Sequence, residues 1–196
     1  MEIATGTGLH PEEMTPRKLG NRRVTGKEQF FTPRSTAEQI VARLVELRTD
    51  APARPWIEPA GGTGTFVDVA QAIGVEQIIS YDIEPRHELV RRGNFLQADL
   101  TLRGAVAVGN PPFGRNNALS VPFFNHAARY CEIINFIVPR SWRKWSVTNR
   151  LDLRFGLIDD YDLTINYLDQ NGAQISGRST LRTCVQTWAV GASTPR

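Results

Sequence analysis

The stretch from Glu58 to Phe66, which reads EPAGGTGTF, has residue types suited to holding a small ligand. Its glycines let the backbone approach a ligand closely, and the helix predicted after them favours an anion at its N-terminus. The stretch lacks the third glycine of a dinucleotide-binding turn and the Gly-Lys-Ser/Thr of a triphosphate loop. It therefore favours a cofactor without a pyrophosphate.

Three further polar motifs follow hydrophobic runs. Asp82 lies 18 residues after Gly64, where a carboxylate can accept hydrogen bonds from both hydroxyls of a ribose. Asp99 follows another run, and Asn110-Pro111-Pro112-Phe113 follows the next. Each motif alone is compatible with an ordinary turn or cap. Their order after successive predicted strands indicates a binding site.

The surrounding pattern alternates short apolar runs with helical periods. Strands are predicted at residues 56–58, 77–82, 95–98, 105–108 and 132–138, and helices at residues 65–73, 84–91, 118–130 and 141–149. This alternation predicts an α/β fold, a doubly wound, seven-stranded, mostly parallel sheet whose ligands bind at the carboxyl ends of the strands. Runs at 163–168 and 183–190 predict a closing antiparallel hairpin. An earlier helix is predicted from Ser35, which has capping-box spacing to Glu38.

Taken together, E-P-x-x-G-x-G-x-F, an acid after the second strand, an aspartate after the third and N-P-P-F after the fourth resemble a class I S-adenosylmethionine-dependent methyltransferase. Within that superfamily the pattern resembles the adenine-N6 enzymes. The stretch QFFTP at residues 29–33 resembles the segment that closes over the methionine part of the cofactor in those enzymes. The resemblance covers roughly residues 29–140. It implies a Rossmann-like fold and methylation of the exocyclic N6 amine of adenine in nucleic acid.

The resemblance also implies a role for each motif. The side-chain carbonyl of Asn110 and the backbone carbonyl of Pro111 would accept the two amine hydrogens, and Phe113 would stack on the base beside Pro112. Glu58 and the glycine turn would hold the methionine end of S-adenosylmethionine, Asp82 its ribose, and Asp99 its adenine amine. The implied cofactor-binding residues are Thr32, Pro33, Glu58, Gly62, Gly64, Phe66, Asp82, Ile83, Asp99, Leu100 and Asn110. Gly61 departs from the family, which often has a larger residue there.

Residues 139–150 contain four basic residues and two tryptophans without an acid. Such a mixture can pair cations with phosphates while rings stack on bases. The residues predicted to bind nucleic acid are Arg140, Trp142, Arg143 and Lys144. The alternative is an amphipathic helix with buried tryptophans and solvated charges.

Composition limits the remaining classes. The 196 residues carry a net charge of +3, and a glycine- and proline-containing basic arm at 1–27 is expected to precede a single domain at 28–196. The longest nearly apolar run, residues 133–139, is too short for a membrane helix. Two distant cysteines and three scattered histidines predict neither a disulfide nor a metal site, and a cytoplasmic location fits.

Four functions remain open at this point. DNA is slightly favoured over ribosomal or transfer RNA, because a Thr-Pro segment ahead of the glycine loop is typical of DNA enzymes. Protein-glutamine methylation is disfavoured by Phe113, since those relatives usually have tyrosine there. A catalytically silent cofactor-binding subunit is disfavoured by the intact Asn110 motif. The chain is short for a separate target-recognition domain, which leaves that task to a protein partner.

Overall fold

The computed structural model describes residues 31–165 and 182–192. Within these residues the strands are β1 (Trp56–Glu58), β2 (Ile78–Asp82), β3 (Val90–Arg92), β4 (Ala105–Gly109), β5 (Cys131–Pro139), β6 (Phe155–Leu163) and β7 (Thr183–Val190). The helices are α1 (Arg34–Leu47), α2 (Thr65–Ala72), α3 (Ser120–Ala127) and α4 (Trp145–Thr148). Short 3-10 turns lie at Ala51–Ala53, Phe95–Gln97, Arg115–Asn117 and Arg140–Arg143.

The strands form one sheet in the order β3-β2-β1-β4-β5-β7-β6. Strands β1 to β5 pair in parallel, whereas β7 is antiparallel to both β5 and β6. The predicted doubly wound sheet with an antiparallel end is confirmed. Strands β2 and β3 are added on one side of β1, and β4 and β5 on the other side. Ligands bind in such folds at this switch point between β1 and β4.

The central strands are hydrophobic on both faces because both faces are covered. In β4 all five residues are buried, with Ala105 and Ala107 in one core and Val106 and Val108 in the other. Helix α1 packs its buried stripe, which includes Ile40 and Leu44, into the second core. The sheet is therefore rigid where its strands end and the polar motifs begin.

Several predicted elements are wrong. Residues 84–91 do not form a helix, because Leu89 is exposed and only Val90 is buried, as part of β3. Residues 95–98 are not a strand, since Phe95 enters the core from a 3-10 turn. The predicted helix at 118–130 is shorter, and the one at 141–149 is divided into a 3-10 turn and α4.

The last hairpin and the first helix also begin elsewhere than predicted. A strand was predicted to start at Leu163, but β6 ends there. The acidic residues of β6 interrupt its apolar pattern, which is why the sequence did not indicate this strand. Helix α1 begins at Arg34 with Pro33 at its N-cap, and Glu38 pairs with Arg34 rather than closing a capping box with Ser35. The predicted basic arm, together with residues 166–168, lies outside the described residues. Within the described residues, no helix has the length and apolar character needed to cross a membrane.

Candidate active site

A cavity of about 250 Å³ lies at the carboxyl ends of β1 to β4. The loops that follow these strands supply most of its wall, and the segment before α1, the start of α2 and one residue of α3 supply the rest. The lining residues are Phe31, Thr32, Glu58, Pro59, Ala60, Gly61, Gly62, Thr63, Thr65, Phe66, Asp82, Ile83, Gly93, Asn94, Phe95, Asn110, Pro111, Pro112, Phe113 and Phe123.

The glycine-rich turn between β1 and α2 has a backbone that few other residues could adopt. Gly62 and Gly64 have φ values of 47° and 76°, in the left-handed region. A Cβ at Gly62 would approach the Phe31 ring, and one at Gly64 would collide with His87. The turn therefore depends on glycine for both its conformation and its close packing.

Asp82 connects this turn to the loop after β2. Its Oδ2 accepts a hydrogen bond from the backbone N–H of Gly62, and its Oδ1 accepts one from the backbone N–H of Glu84, each at 2.8 Å. Two charge-assisted hydrogen bonds fix the orientation of the carboxylate at the cavity wall. Each oxygen keeps a further lone pair that can accept from a ligand hydroxyl.

Glu58 is a buried acid at the end of β1, with only 2% of its surface exposed. Ser80 donates a hydrogen bond from its hydroxyl to the Glu58 carboxylate, at 3.2 Å. Burial raises the pKa of Glu58 well above its ordinary value, and the charges of Asp82 and Asp68 raise it further, whereas the Ser80 hydrogen bond lowers it. A cationic group bound in the cavity would favour the ionised carboxylate and so oppose the effect of burial, which makes Glu58 a candidate partner for such a group.

Asn110 follows β4 directly. Its Nδ2 donates a hydrogen bond to Oγ1 of Thr32 at 3.4 Å, whereas its Oδ1 is buried and has no hydrogen-bond partner among the residues that the structure describes. Gly109 has a φ of 144°, a backbone conformation that favours glycine, and a Cβ there would lie in ordinary contact with the Glu58 side chain. Pro111 is buried beside it, and Phe113 is half-buried.

Most of the residues implied by the resemblance meet in this cavity. They are Thr32, Glu58, Gly62, Phe66, Asp82, Ile83, Asn110, Pro111, Pro112 and Phe113. Pro33 and Gly64 are not lining residues; Pro33 is the N-cap residue of α1 and Gly64 that of α2.

Asp99 and Leu100 do not line the cavity. The Asp99 side chain is 91% exposed and interacts with Arg129 and with the hydroxyl of Tyr130, while Leu100 is buried in the core. The predicted position of Asp99 is wrong because β3 ends at Arg92, well before the predicted strand at 95–98. The residues that follow β3, Gly93 to Phe95, line the cavity instead. The Gly93-Asn94 turn signal was the available clue to this strand end.

The predicted nucleic-acid segment is only partly exposed. Trp142 is completely buried and donates a hydrogen bond from its indole N–H to Ser120, so its predicted stacking on a base is wrong. Arg143 pairs with Asp160 and Asp162, and Arg140 also pairs with Asp162. These carboxylates come from β6, which the sequence pattern had not identified as the neighbouring strand.

Lys144 and Trp145 are among the exposed residues of the segment, and Trp145 is largely open to solvent, at 70% exposure. Trp145 borders a second cavity of about 280 Å³ with aromatic walls. Its lining residues are Trp142, Arg143, Trp145, Thr148, Leu151, Phe155, Leu157, Asp160, Gln186 and Trp188. Asn117 donates a hydrogen bond to Ser141 at 3.1 Å, which ties this segment to the loop after Asn110.

Comparison with known proteins gives matches to methyltransferases. No protein-family profile matches the chain. The type II methyltransferases M.HincII and M.HindII, both from Haemophilus influenzae, are 30% identical over 95 residues, which is 47% of this chain. The chain covers 18% of the length of these relatives.

Solved structures match over most of the chain. The candidate RNA methyltransferase PH1948 from Pyrococcus horikoshii has a TM-score of 0.65 and 16% identity, covering 83% of this chain and 87% of that protein. The M protein of the type I restriction enzyme EcoKI has a TM-score of 0.59 and 19% identity, covering 84% of this chain and 44% of that protein. At these identities the likeness concerns the fold.

Proposed function

We propose that this chain, whose fold is that of the class I S-adenosylmethionine-dependent methyltransferases, methylates the exocyclic N6 amine of adenine in nucleic acid, with DNA favoured over RNA. The observation that carries the proposal is the buried, unpartnered Oδ1 of Asn110 at the cavity. A buried acceptor without a partner among the described residues costs about 1–3 kcal/mol. An adenine amine has two N–H donors, so it would satisfy this atom and the Pro111 carbonyl together.

The residues that line the cavity suit S-adenosylmethionine. Glu58 is a buried acid that matches the ammonium group of the methionine part, and the fixed carboxylate of Asp82 matches two ribose hydroxyls. Asn94 and Phe95, rather than Asp99, would border the adenine ring. When bound, the cofactor would supply a methyl group on a positively charged sulfur, and a neutral thioether would be left after transfer.

The protein's own part in the reaction is positioning. Asn110 and Pro111 would hold the amine by its two hydrogens, and the rings of Phe113 and Phe31 are available to contact the base or the cofactor. Such preorganised acceptors act before the reaction and need no reorganisation during it. The amine proton is acidic once the nitrogen is methylated, so it is lost to solvent without a general base.

The cofactor assignment is tested by titration calorimetry with S-adenosylmethionine and with its demethylated product. We expect Asp82→Ala to weaken binding about tenfold or more, because it removes a charged hydrogen-bond acceptor. Asp99→Ala is the matched control, since its side chain lies outside the cavity. Equal affinities for the Asp82→Ala variant and the parent would contradict the ribose assignment.

Nucleic-acid contact is proposed at Lys144 and Trp145 instead of the buried Trp142. Both follow β5 at the edge of the sheet where the cavity lies, and they present a cation beside an exposed ring. Phosphates bind cations and unstacked bases bind aromatic faces. A target base in a duplex would have to be flipped out, so single-stranded or distorted nucleic acid is the easier substrate.

DNA is favoured because the relatives include type II methyltransferases and because the M protein among the structural neighbours belongs to a restriction enzyme. The test is methyl transfer from labelled S-adenosylmethionine to matched DNA and RNA pools, followed by nucleoside analysis. Labelled N6-methyladenosine from RNA alone would reverse the preference. Label in protein, or no label despite cofactor binding, would support a glutamine methyltransferase or a silent subunit. A second arm with added cell extract tests whether a protein partner supplies target recognition.

A further inference from the structure

We infer that Thr32 is a positioning residue that holds the Asn110 amide so that its oxygen faces the reacting amine. The inference rests on the proposed function and concerns the same site. Thr32 is buried in the segment just before α1, and its Oγ1 accepts the hydrogen bond from Nδ2 of Asn110. The other end of the same amide is the atom that has no partner among the described residues.

The two ends of an asparagine amide are nearly equal in size but opposite in hydrogen-bonding character. With Nδ2 toward Thr32, the Oδ1 of Asn110 is left as an acceptor for an amine. With the amide reversed, two N–H donors would face the two N–H donors of adenine. Productive binding therefore requires an acceptor on the Nδ2 side. The Thr32 hydroxyl can act as that acceptor, and the adenine amine, which only donates, then selects this orientation of the amide.

The position of Thr32 is coupled to the glycine turn. Its neighbour Phe31 packs against Gly62, with the nearest ring atom 2.9 Å from where a Cβ would lie, and the guanidinium of Arg86 lies over the same ring. On its other side Pro33 begins α1. The segment is thus held at both ends, so Thr32 can present its hydroxyl in a fixed direction.

This role differs from contact with the methionine end of the cofactor, and the two roles predict different kinetics. A cofactor contact would act on cofactor affinity. A positioning contact would act on the methyl-transfer step at saturating cofactor, and its effect would require Asn110 to be present.

The test compares Thr32→Val, which keeps the shape but loses the hydroxyl, with Thr32→Ser, which keeps the hydroxyl. Single-turnover methyl transfer to an adenine-containing DNA strand is measured at saturating S-adenosylmethionine, and cofactor affinity is measured by calorimetry. We expect Thr32→Val to slow transfer about tenfold or more while cofactor affinity stays within about twofold, and Thr32→Ser to restore most of the rate. Thr32→Ala replaces Thr32→Val if the latter does not fold.

A double variant makes the test specific. In an Asn110→Ala background, Thr32→Val should slow transfer no further, because its effect passes through the lost amide. Weaker cofactor binding with an unchanged saturated rate, or a full additional loss in the Asn110→Ala background, would overturn the inference. A fully active Asn110→Ala protein would instead contradict the proposed function, so the two failures are distinguishable.

Discussion

The Ser80 hydroxyl occupies the space where a side chain at Gly61 would begin, so the two residues exclude one another. The same hydroxyl donates a hydrogen bond to Glu58. The glycine at position 61, where the family that the sequence resembles often has a larger residue, therefore has a physical reason. This chain uses the space for a buried hydrogen bond that holds its cavity-facing acid.

Gly61→Ala should therefore destabilise the protein by about 1–3 kcal/mol, as overpacked sites do, and weaken cofactor binding by displacing Ser80 from Glu58. Urea unfolding and calorimetry measure the two effects. Adding Ser80→Ala should recover part of the stability, because it empties the space that the new methyl group needs. A Gly61→Ala protein as stable as the parent would contradict the close packing.

The raised pKa of Glu58 predicts a pH-dependent stability. The folded protein keeps the Glu58 proton at pH values where the unfolded chain, with an ordinary pKa of about 4.5, has released it. The unfolded state then binds fewer protons, so the free energy of unfolding falls as pH rises from about 4.5 through the raised pKa. Glu58→Gln should lose this dependence and should gain stability relative to the parent as pH rises.

Urea unfolding at a series of pH values checks this expectation. Glu76→Gln, at an exposed acid, removes the same charge and should leave the dependence of the parent in place. Glu58→Gln should also weaken S-adenosylmethionine binding, since the cationic end of the cofactor loses its partner. Parallel stability curves for Glu58→Gln and the parent would show that burial of this acid is not what the pH dependence reports.

The parts of the site that could be predicted from sequence are those formed by short, continuous motifs. The glycine turn and the motif at Asn110 depend on local backbone chemistry, and both lie where the alternating pattern predicted them. The prediction that Asp99 lies at the cavity was wrong for a different reason. Its predicted role depended on where β3 ends, and a three-residue strand with one buried side chain has too weak a pattern to be located.

The two tryptophans after β5 show a second limit. Trp142 and Trp145 lie three residues apart in the same basic segment, so the sequence gives no reason to distinguish them. Trp142 is nevertheless completely buried, whereas Trp145 is exposed. The difference arises from the break between the 3-10 turn and α4, and from β6, whose acids neutralise Arg140 and Arg143. Contacts between strands so far apart in sequence leave no periodic signal.

Lys144 and Trp145 should contribute differently to nucleic-acid affinity. Lys144→Ala is expected to reduce the slope of log affinity against log salt by about one, because one phosphate contact is lost. Trp145→Ala should weaken binding by about 1–3 kcal/mol per stacked base with little change in slope. Fluorescence anisotropy with labelled single strands measures both quantities.

Arg129→Ala is the control for charge alone. Arg129 precedes β5, at the opposite edge of the sheet from the cavity, so its loss should not change the salt dependence. An unchanged slope for Lys144→Ala, or equal slopes for the Lys144 and Arg129 variants below that of the parent, would mean that this segment does not meet phosphate.

The reaction itself is expected to depend most on Asn110. Loss of a preorganised hydrogen bond to the reacting group typically costs about 10²–10³ in turnover, so Asn110→Ala should nearly abolish methylation. The protein should still fold, because Asn110 lies outside the sheet core and its Oδ1 has no partner among the described residues. Single-turnover kinetics at matched thermal stability measure the effect.

Asn110→Asp separates the acceptor from the turn. A carboxylate keeps an oxygen where the amide oxygen lies, and its second oxygen can accept a hydrogen bond from the Thr32 hydroxyl, since that group is a donor as well as an acceptor. The Asp variant should therefore methylate faster than the Ala variant although it adds a charge beside Glu58. If Asn110 only shaped the turn, Asp and Ala would be equally active. An Ala variant that methylates adenine at nearly the parent rate would remove the amide from the mechanism altogether.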